Sequence, residues 1–335
     1  MRARLVWFGI KSGHVRPDLA KGTSMTDPST QSALVTGANS GLGFEAAGQL
    51  AELGFGSVTL ACRSQDKADA AAAALKARTG ADVFETLVVD VADIGSSRAA
   101  AAELVERGRS FDVVLLNAGM LPNQLARTAD GIEMCFASSL IGHHIITTEL
   151  LGAGLLEDAS VVLTGSDAAN NDRLGKMFGM VVYDFALGEP STFGATEVNA
   201  MRNFATATPG DDYNGQRQYA TTKVFSSWWS AAMARRHSGS TRFFTVSPGS
   251  NLGTSASRHA SGAFKVASAI MRRVGKYIGA DQPVPVGARR YLDVALDDDG
   301  TFENGLTYGS KENKVIGPLV ERTPAHLTDE ARHHV

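Results

Sequence analysis

Tyr219 and Lys223, in Gln218-Tyr219-Ala220-Thr221-Thr222-Lys223, stand four residues apart. On a helix that spacing puts a phenol and an ammonium on one face. A positive charge beside the phenol favours the phenolate. The sequence therefore predicts a tyrosine pKa drawn down toward the range where it exchanges protons near neutral pH. The spacing alone is weak, since a Tyr four residues before a Lys is commonly a half-buried ring beside a solvated charge. What surrounds the pair gives it weight.

The first positioning element is a short apolar strand, Ser32–Thr36, running into Gly37-Ala38-Asn39-Ser40-Gly41-Leu42-Gly43 and then a helical pattern ending at Gly54. Strand, glycine turn and helix open a dinucleotide-binding βαβ unit. Glycines let backbone approach a pyrophosphate closely, and the free N–H groups at the helix start favour negative charge. Gly37, Asn39, Ser40, Gly41, Leu42 and Gly43 are therefore candidate cofactor contacts. The second strand, Ser57–Cys62, ends in no acid and is followed by Arg63. An acid there would hold ribose hydroxyls and repel a 2′-phosphate, whereas Arg63 attracts one, so NADP(H) is expected over NAD(H).

Further strands are read at Phe84–Val89, Asp112–Leu116, Ser160–Leu163 and Arg242–Val246, with a last short one within Gly305–Gly309. The third is followed by Asp90-Val91, suited to the adenine amino group, and the fourth by Asn117-Ala118-Gly119. There the glycine lets backbone pass near a cofactor and the Asn amide can tie strands together. Helices are expected at Lys67–Ala77, Ser97–Arg107, Ile132–Leu151, Tyr219–His237, Ala263–Ile278 and Val286–Leu296. This alternation predicts an α/β fold, a Rossmann-type doubly wound parallel sheet covered on both faces. The rhythm breaks at 167–218, a long stretch holding Met177, Phe178, Tyr183, Phe185, Phe193 and Phe204. An apolar insertion at the carboxyl end of a central strand is where a substrate lid would sit, with a subunit-contact flap as the alternative.

A net charge of -3 and the absence of a basic block argue against a nucleic-acid partner. Cys62 and Cys135 have no metal-ligand spacing and fit a reducing compartment. The apolar runs are far too short to cross a membrane, so no integral span is expected and the chain reads as cytoplasmic. Residues 1–24 are basic and acid-poor without a secretory pattern; a targeting peptide and a disordered extension are both open, the extension being preferred, with Met25 as a natural start. The expected division is an extension over 1–30, one domain over 31–325 carrying the insertion 167–218, and a polar tail over 326–335.

Taken in order, Thr36-Gly37 through Gly41 and Gly43, Asp90, Asn117-Ala118-Gly119, Ser166, Tyr219 with Lys223, and Pro248-Gly249 resemble the short-chain dehydrogenase/reductase family over nearly the whole chain after residue 30. Gly-Leu-Gly-Phe-Glu-Ala-Ala after the turn and Ala-Cys-Arg at 61–63 look most like its NADP-preferring retinol-dehydrogenase-like and protochlorophyllide-reductase-like branch. The resemblance implies that Tyr219 exchanges a proton with the substrate oxygen as hydride moves. It implies that Lys223 lowers the tyrosine pKa and holds the nicotinamide ribose, that Pro248 and Gly249 line the cofactor, and that Ser166 hydrogen-bonds the substrate oxygen. Its plainer alternative for Ser166 is a turn serine at a strand end. It also implies a dimer or tetramer, though the insertion could block the usual helix-to-helix contact and leave a monomer.

There are departures. Ser139 occupies the position where many members carry an Asn that holds a relay water. His143-His144 is not a metal pair, because adjacent residues on a helix face apart. The expected function is interconversion of an alcohol with a ketone or aldehyde on a fairly large apolar substrate. The alternatives are a catalytically weak NADP-binding scaffold and a protochlorophyllide-type reductase, the latter opposed by the lack of a cysteine in 167–218. The enzyme reading requires the Tyr219 and Ser166 hydroxyls to converge within about 5 Å.

Overall fold

The structure is a computed structural model, and it describes residues 27–177, 179–184, 197–208, 213–237, 239–251 and 281–323. Eight strands form one sheet in the order β3-β2-β1-β4-β5-β6-β7-β8. They are β1 Ser32–Thr36, β2 Ser57–Cys62, β3 Phe84–Val88, β4 Val113–Leu116, β5 Ser160–Thr164, β6 Arg242–Val246, β7 Thr307–Gly309 and β8 Val320–Glu321. β1 to β7 are parallel and β8 returns antiparallel on β7. The order reverses between β1 and β4, and the crevice outside their carboxyl ends is where an open α/β sheet binds ligands.

Central strands are buried on both sides, which explains why they read as continuous apolar runs. Ala33 and Val35 of β1 point into a cluster with Leu50, Leu60, Leu75, Tyr291 and Leu292. Leu34 points the opposite way, toward Leu104, Val114, Ile146, Leu150, Phe225 and Met233. The first face is covered by α1 Gly41–Glu52, α2 Gln65–Thr79 and a late helix, Val284–Ala295. The second is covered by α3 Ile94–Arg107, by α4, and by the helix carrying Tyr219. α4 runs as Met134–Phe136, a π turn Ala137–Ile141, and Gly142–Gly152. The sequence predicts one continuous helix here, and the π turn is the difference.

Among the described residues the insertion supplies a short 3-10 turn, Asp167–Asn170, and two α-helices, α5 Arg173–Met177 and α6 Glu197–Thr206. The Tyr219 helix is α7, Gly215–Arg236, capped by Asn214, whose Oδ1 accepts the N–H groups of Gln216 and Arg217 at 3.0 Å. The helix Val284–Ala295 is α8. Of the helices read from sequence, Ala263–Ile278 lies outside the described residues.

Of the apolar residues that pointed to a lid, Tyr183 and Phe204 are buried in packing and Met177 is exposed. Phe204 stacks on Phe225 of α7 with centroids 5.3 Å apart and meets Phe136 edge-on at 5.8 Å. Val182 packs with Ala220 and Val224, and Tyr183 bonds through its N–H to Thr221 Oγ1 at 2.9 Å. Thr221 and Val224 lie on the side of α7 away from Tyr219, so these segments cover the outer flank of the helix. Burial of aromatic rings is the physical reason. Phe178, Phe185 and Phe193, the other part of the lid reading, lie outside the described residues.

Candidate active site

The candidate catalytic groups come from the end of β5 and the sheet-facing side of α7. Ser226 and Ser230 fix that side, since the Thr245 hydroxyl of β6 donates to the Ser226 carbonyl at 3.0 Å and lies 2.8 Å from Ser230 Oγ. Lys223, 3% exposed, donates from Nζ to the Thr164 carbonyl at 2.8 Å. Its ammonium lies 5.5 Å from the centroid of the Tyr219 ring. The Ser166 hydroxyl is near enough to the Tyr219 phenol to favour its ionised form. Ser166 Oγ also accepts the Ala168 N–H at 3.2 Å, so the serine caps a turn as well.

The predicted lowering of the tyrosine pKa is not found. Burial pushes Tyr219 up to about 12, with the Ser166 hydroxyl acting the other way. Burial also pushes Lys223 down to about 8. Removal from water disfavours both charged forms, and here that outweighs the attraction that the i, i+4 spacing implies. The resting pair is a neutral phenol beside a weakly basic amine.

Ser139 lies in the π turn, 1% exposed, and its Oγ has no hydrogen-bond partner. A Cβ on Gly119 would sit 3.2 Å from that oxygen and 3.9 Å from Lys223 Nζ, so Ser139, Gly119 and Lys223 border one another. Cys135 Sγ donates to the Met120 carbonyl at 3.2 Å and is held neutral by burial, which pushes it up to about 12.

At the crevice, Gly37 and Gly41 have φ of +66° and +61°, and a Cβ on Gly43 would meet Asn117 Nδ2 at 2.5 Å and the Gly37 carbonyl at 2.7 Å. No side chain fits there, so backbone itself floors the turn. Asn39, Ser40 and Leu42 complete the turn into α1, and Ser40 is its N-cap. Asn117 ties β4 to β1: its Nδ2 donates to the Thr36 carbonyl at 2.9 Å. Thr36 Oγ1 accepts the N–H groups of Asn117 and Ala118 at 2.8 and 3.0 Å.

Sequence reasoning missed His143 in this role. Its Nδ1 lies 3.1 Å from the Ser139 carbonyl and must carry the proton, so Nε2 accepts from the Thr36 hydroxyl at 3.0 Å. Burial holds this imidazole neutral, its pKa pushed down to about 4. His144 faces elsewhere and accepts from Trp229 Nε1 at 3.2 Å. Among the described residues no group of metal ligands is present.

Arg63 is exposed just after β2, and burial pushes the preceding Cys62 thiol up to about 11. Asp90 Oδ1 accepts the Ala92 N–H at 3.0 Å, and the buried Val91 packs against α4 at Gly142. Pro248 and Gly249 follow β6, with the Pro248 carbonyl accepting from Asn251 Nδ2 at 2.9 Å. The loop after Ser166 is fastened from the C-terminal side: Asp167 Oδ1 accepts the Ser310 N–H at 3.0 Å, and Asp172 Oδ2 accepts the Asn313 N–H at 3.2 Å. Arg322 Nη2 lies 3.6 Å from Asp172 Oδ2. Among the described residues no helix is long and apolar enough to cross a membrane.

A profile of the short chain dehydrogenase family matches residues 31–183. Mouse retinol dehydrogenase 11 is 36% identical over 157 residues, which is 47% of this chain and 48% of that protein. The chain therefore spans about half the length of that curated relative. The chloroplastic protochlorophyllide reductase of Chlamydomonas reinhardtii is 29% identical over 313 residues, 88% of this chain and 75% of that protein. A short chain dehydrogenase from Burkholderia cenocepacia, solved in complex with NADP, superimposes with a TM-score of 0.56 at 21% identity, over 84% of this chain and 96% of that one. At that identity the likeness is one of fold. Taken with the strand order and the motif positions, these matches make residues 31–183 similar to the short chain dehydrogenase family and the sheet similar to that of its solved members.

Proposed function

We propose that this chain is an NADP(H)-dependent oxidoreductase that interconverts an alcohol with a ketone or aldehyde. The observation that carries the reading is Lys223, 5.5 Å from the Tyr219 ring and bonded at 2.8 Å to the Thr164 carbonyl, two residues before Ser166. The residues fit a dinucleotide: the Gly37–Gly43 turn has backbone where a Cβ would clash, and it opens onto the N-terminus of α1 at the switch point of the sheet. Bound there, such a cofactor supplies or takes up the hydride. Exposed Arg63 and Lys67 and the missing acid at Cys62 favour the phosphorylated form.

In the reducing direction Tyr219, a neutral phenol, gives its proton to the substrate oxygen. Ser166 donates a hydrogen bond to that oxygen as negative charge builds there. Lys223 places a nearby amine whose protonation stabilises the phenolate left behind. Ser139 offers a free hydroxyl at the back of the site. In the oxidising direction each transfer reverses.

NADPH oxidation against a panel of apolar aldehydes and ketones tests the reading, with Tyr219→Phe as control. Turnover that vanishes in the variant while NADPH still binds supports it; absence of NADPH binding overturns it. A second reading, a protochlorophyllide-type reductase, is favoured by the likeness to the Chlamydomonas reinhardtii enzyme across 88% of the chain. The lack of a cysteine in 167–218 opposes it. Illumination of the protein with protochlorophyllide and NADPH separates the two.

A further inference from the structure

Glu133 is 0% exposed and opens α4, where its carboxylate accepts the Phe136 N–H at 2.9 Å. Its other partners come from far along the chain. The Tyr213 hydroxyl donates to Oε1 at 2.8 Å, and Gln218 Nε2 donates to Oε2 at 3.1 Å. The Glu133 N–H donates to the Ala205 carbonyl in α6 at 2.7 Å. Gln218 Nε2 also reaches the Phe204 carbonyl at 3.3 Å. Arg127 closes the same end of α6, donating from Nε to the Thr206 carbonyl at 2.8 Å and from Nη2 to the Ala207 carbonyl at 2.9 Å.

A buried carboxylate is costly unless its lone pairs are satisfied. Here three neutral donors meet that need, one of them the Phe136 N–H at the start of α4. Two of the donors lie in the stretch that ends the insertion and starts α7. The second, Gln218, directly precedes Tyr219. The carboxylate thus joins the start of α4 to the first turn of the Tyr219 helix, and the last turn of α6 is held beside them by the Glu133 N–H and by Gln218.

We propose that Glu133 is a positioning residue that sets Tyr219 through Gln218, so that the tyrosine is placed for proton transfer only while the end of the insertion is seated. The inference rests on the reading of Tyr219 as the acid/base group. Glu133→Ala removes the clasp. Glu133→Gln keeps one oxygen for Phe136 and Gln218 and turns an amide toward the Tyr213 hydroxyl, which can accept instead. Tyr213→Phe removes a single bond and guards against a Glu133→Ala chain that does not fold.

The test is amide hydrogen exchange of the full chain with NADPH, followed over 199–208 and 213–222, together with turnover of an apolar carbonyl. Glu133→Ala is expected to exchange faster in both segments and to lose about 10²-fold in kcat, with NADPH affinity and carbonyl KM close to wild type. Tyr213→Phe is expected to move the same way by a smaller factor, and Glu133→Gln to restore both readouts. Unchanged exchange over 213–222 in Glu133→Ala, or in Tyr213→Phe if the first does not fold, overturns the proposal. So does a Glu133→Gln chain as impaired as Glu133→Ala. A wild type that turns over no carbonyl defeats the reductase reading instead, and the exchange data still decide whether the clasp holds α7.

Discussion

Lys223 gives its ammonium hydrogen bond to the Thr164 carbonyl at 2.8 Å, two residues before Ser166. The lysine that would support the phenolate is therefore the same group that fastens the Tyr219 helix to the strand end carrying the serine. Its pKa of about 8, against 10.5 for the ordinary side chain, has a stability consequence. Between those values the unfolded chain binds more protons than the folded one, so stability rises with pH. Thermal unfolding of wild type and Lys223→Met across that window should show the wild type gaining on the variant as pH rises, on the order of 2 kcal/mol by its upper end. Parallel curves would sink the assignment.

His143 should govern the acid side. Its pKa of about 4 lies below the ordinary 6.5, so from 6.5 down to 4 only the unfolded state takes up the proton and stability falls. His143→Leu should flatten that fall. It also strips a partner from Thr36 and from the Ser139 carbonyl, at about 1–3 kcal/mol at neutral pH. Denaturant titrations at a series of pH values give both quantities.

Gly43→Ala should be disproportionately harmful. The added methyl would lie 2.5 Å from Asn117 Nδ2 and 2.7 Å from a backbone carbonyl that has nowhere to go. A loss of about 1–3 kcal/mol in stability is expected from overpacking. A drop in NADPH affinity should accompany it, because Asn117 also secures the end of β1. Calorimetry on the apo chain separates the two effects.

Arg63→Ala should raise the NADPH dissociation constant about tenfold and leave NADH nearly untouched, as expected for one charge-assisted contact to a phosphate. Equal losses for both nucleotides would place Arg63 elsewhere than on a 2′-phosphate.

The order of strands and the glycine turn were legible because each carries a local signal: apolar runs of strand length, and glycines where backbone must bend or approach. The π turn at Ala137–Ile141 was not, since nothing in Phe136-Ala137-Ser138-Ser139 interrupts the helical pattern. The two-residue strand Val320–Glu321 has no periodicity to read. Asp167 bonds Ser310 across a separation of 143 residues, a relation no local pattern contains. The direction of the Tyr219 shift failed for a related reason. Four-residue spacing reports a neighbour, whereas burial, the larger influence, depends on everything packed around it. Glu133, the N-cap of α4, stands among residues that give no hint of its distant partners.

The π turn also sets how this region tolerates changes of length. A π turn holds one residue more than the α-helical path around it. Loss of a single residue within 137–141 would therefore leave an uninterrupted α-helix with the later side chains of α4 close to their present directions. His143 would stay against Thr36, and the link from α4 to the ends of β1 and β4 would survive. Among relatives a one-residue difference in length should be tolerated in this stretch, whereas in the regular turns that follow, where each residue turns the chain by about 100°, the same loss would misdirect everything after it.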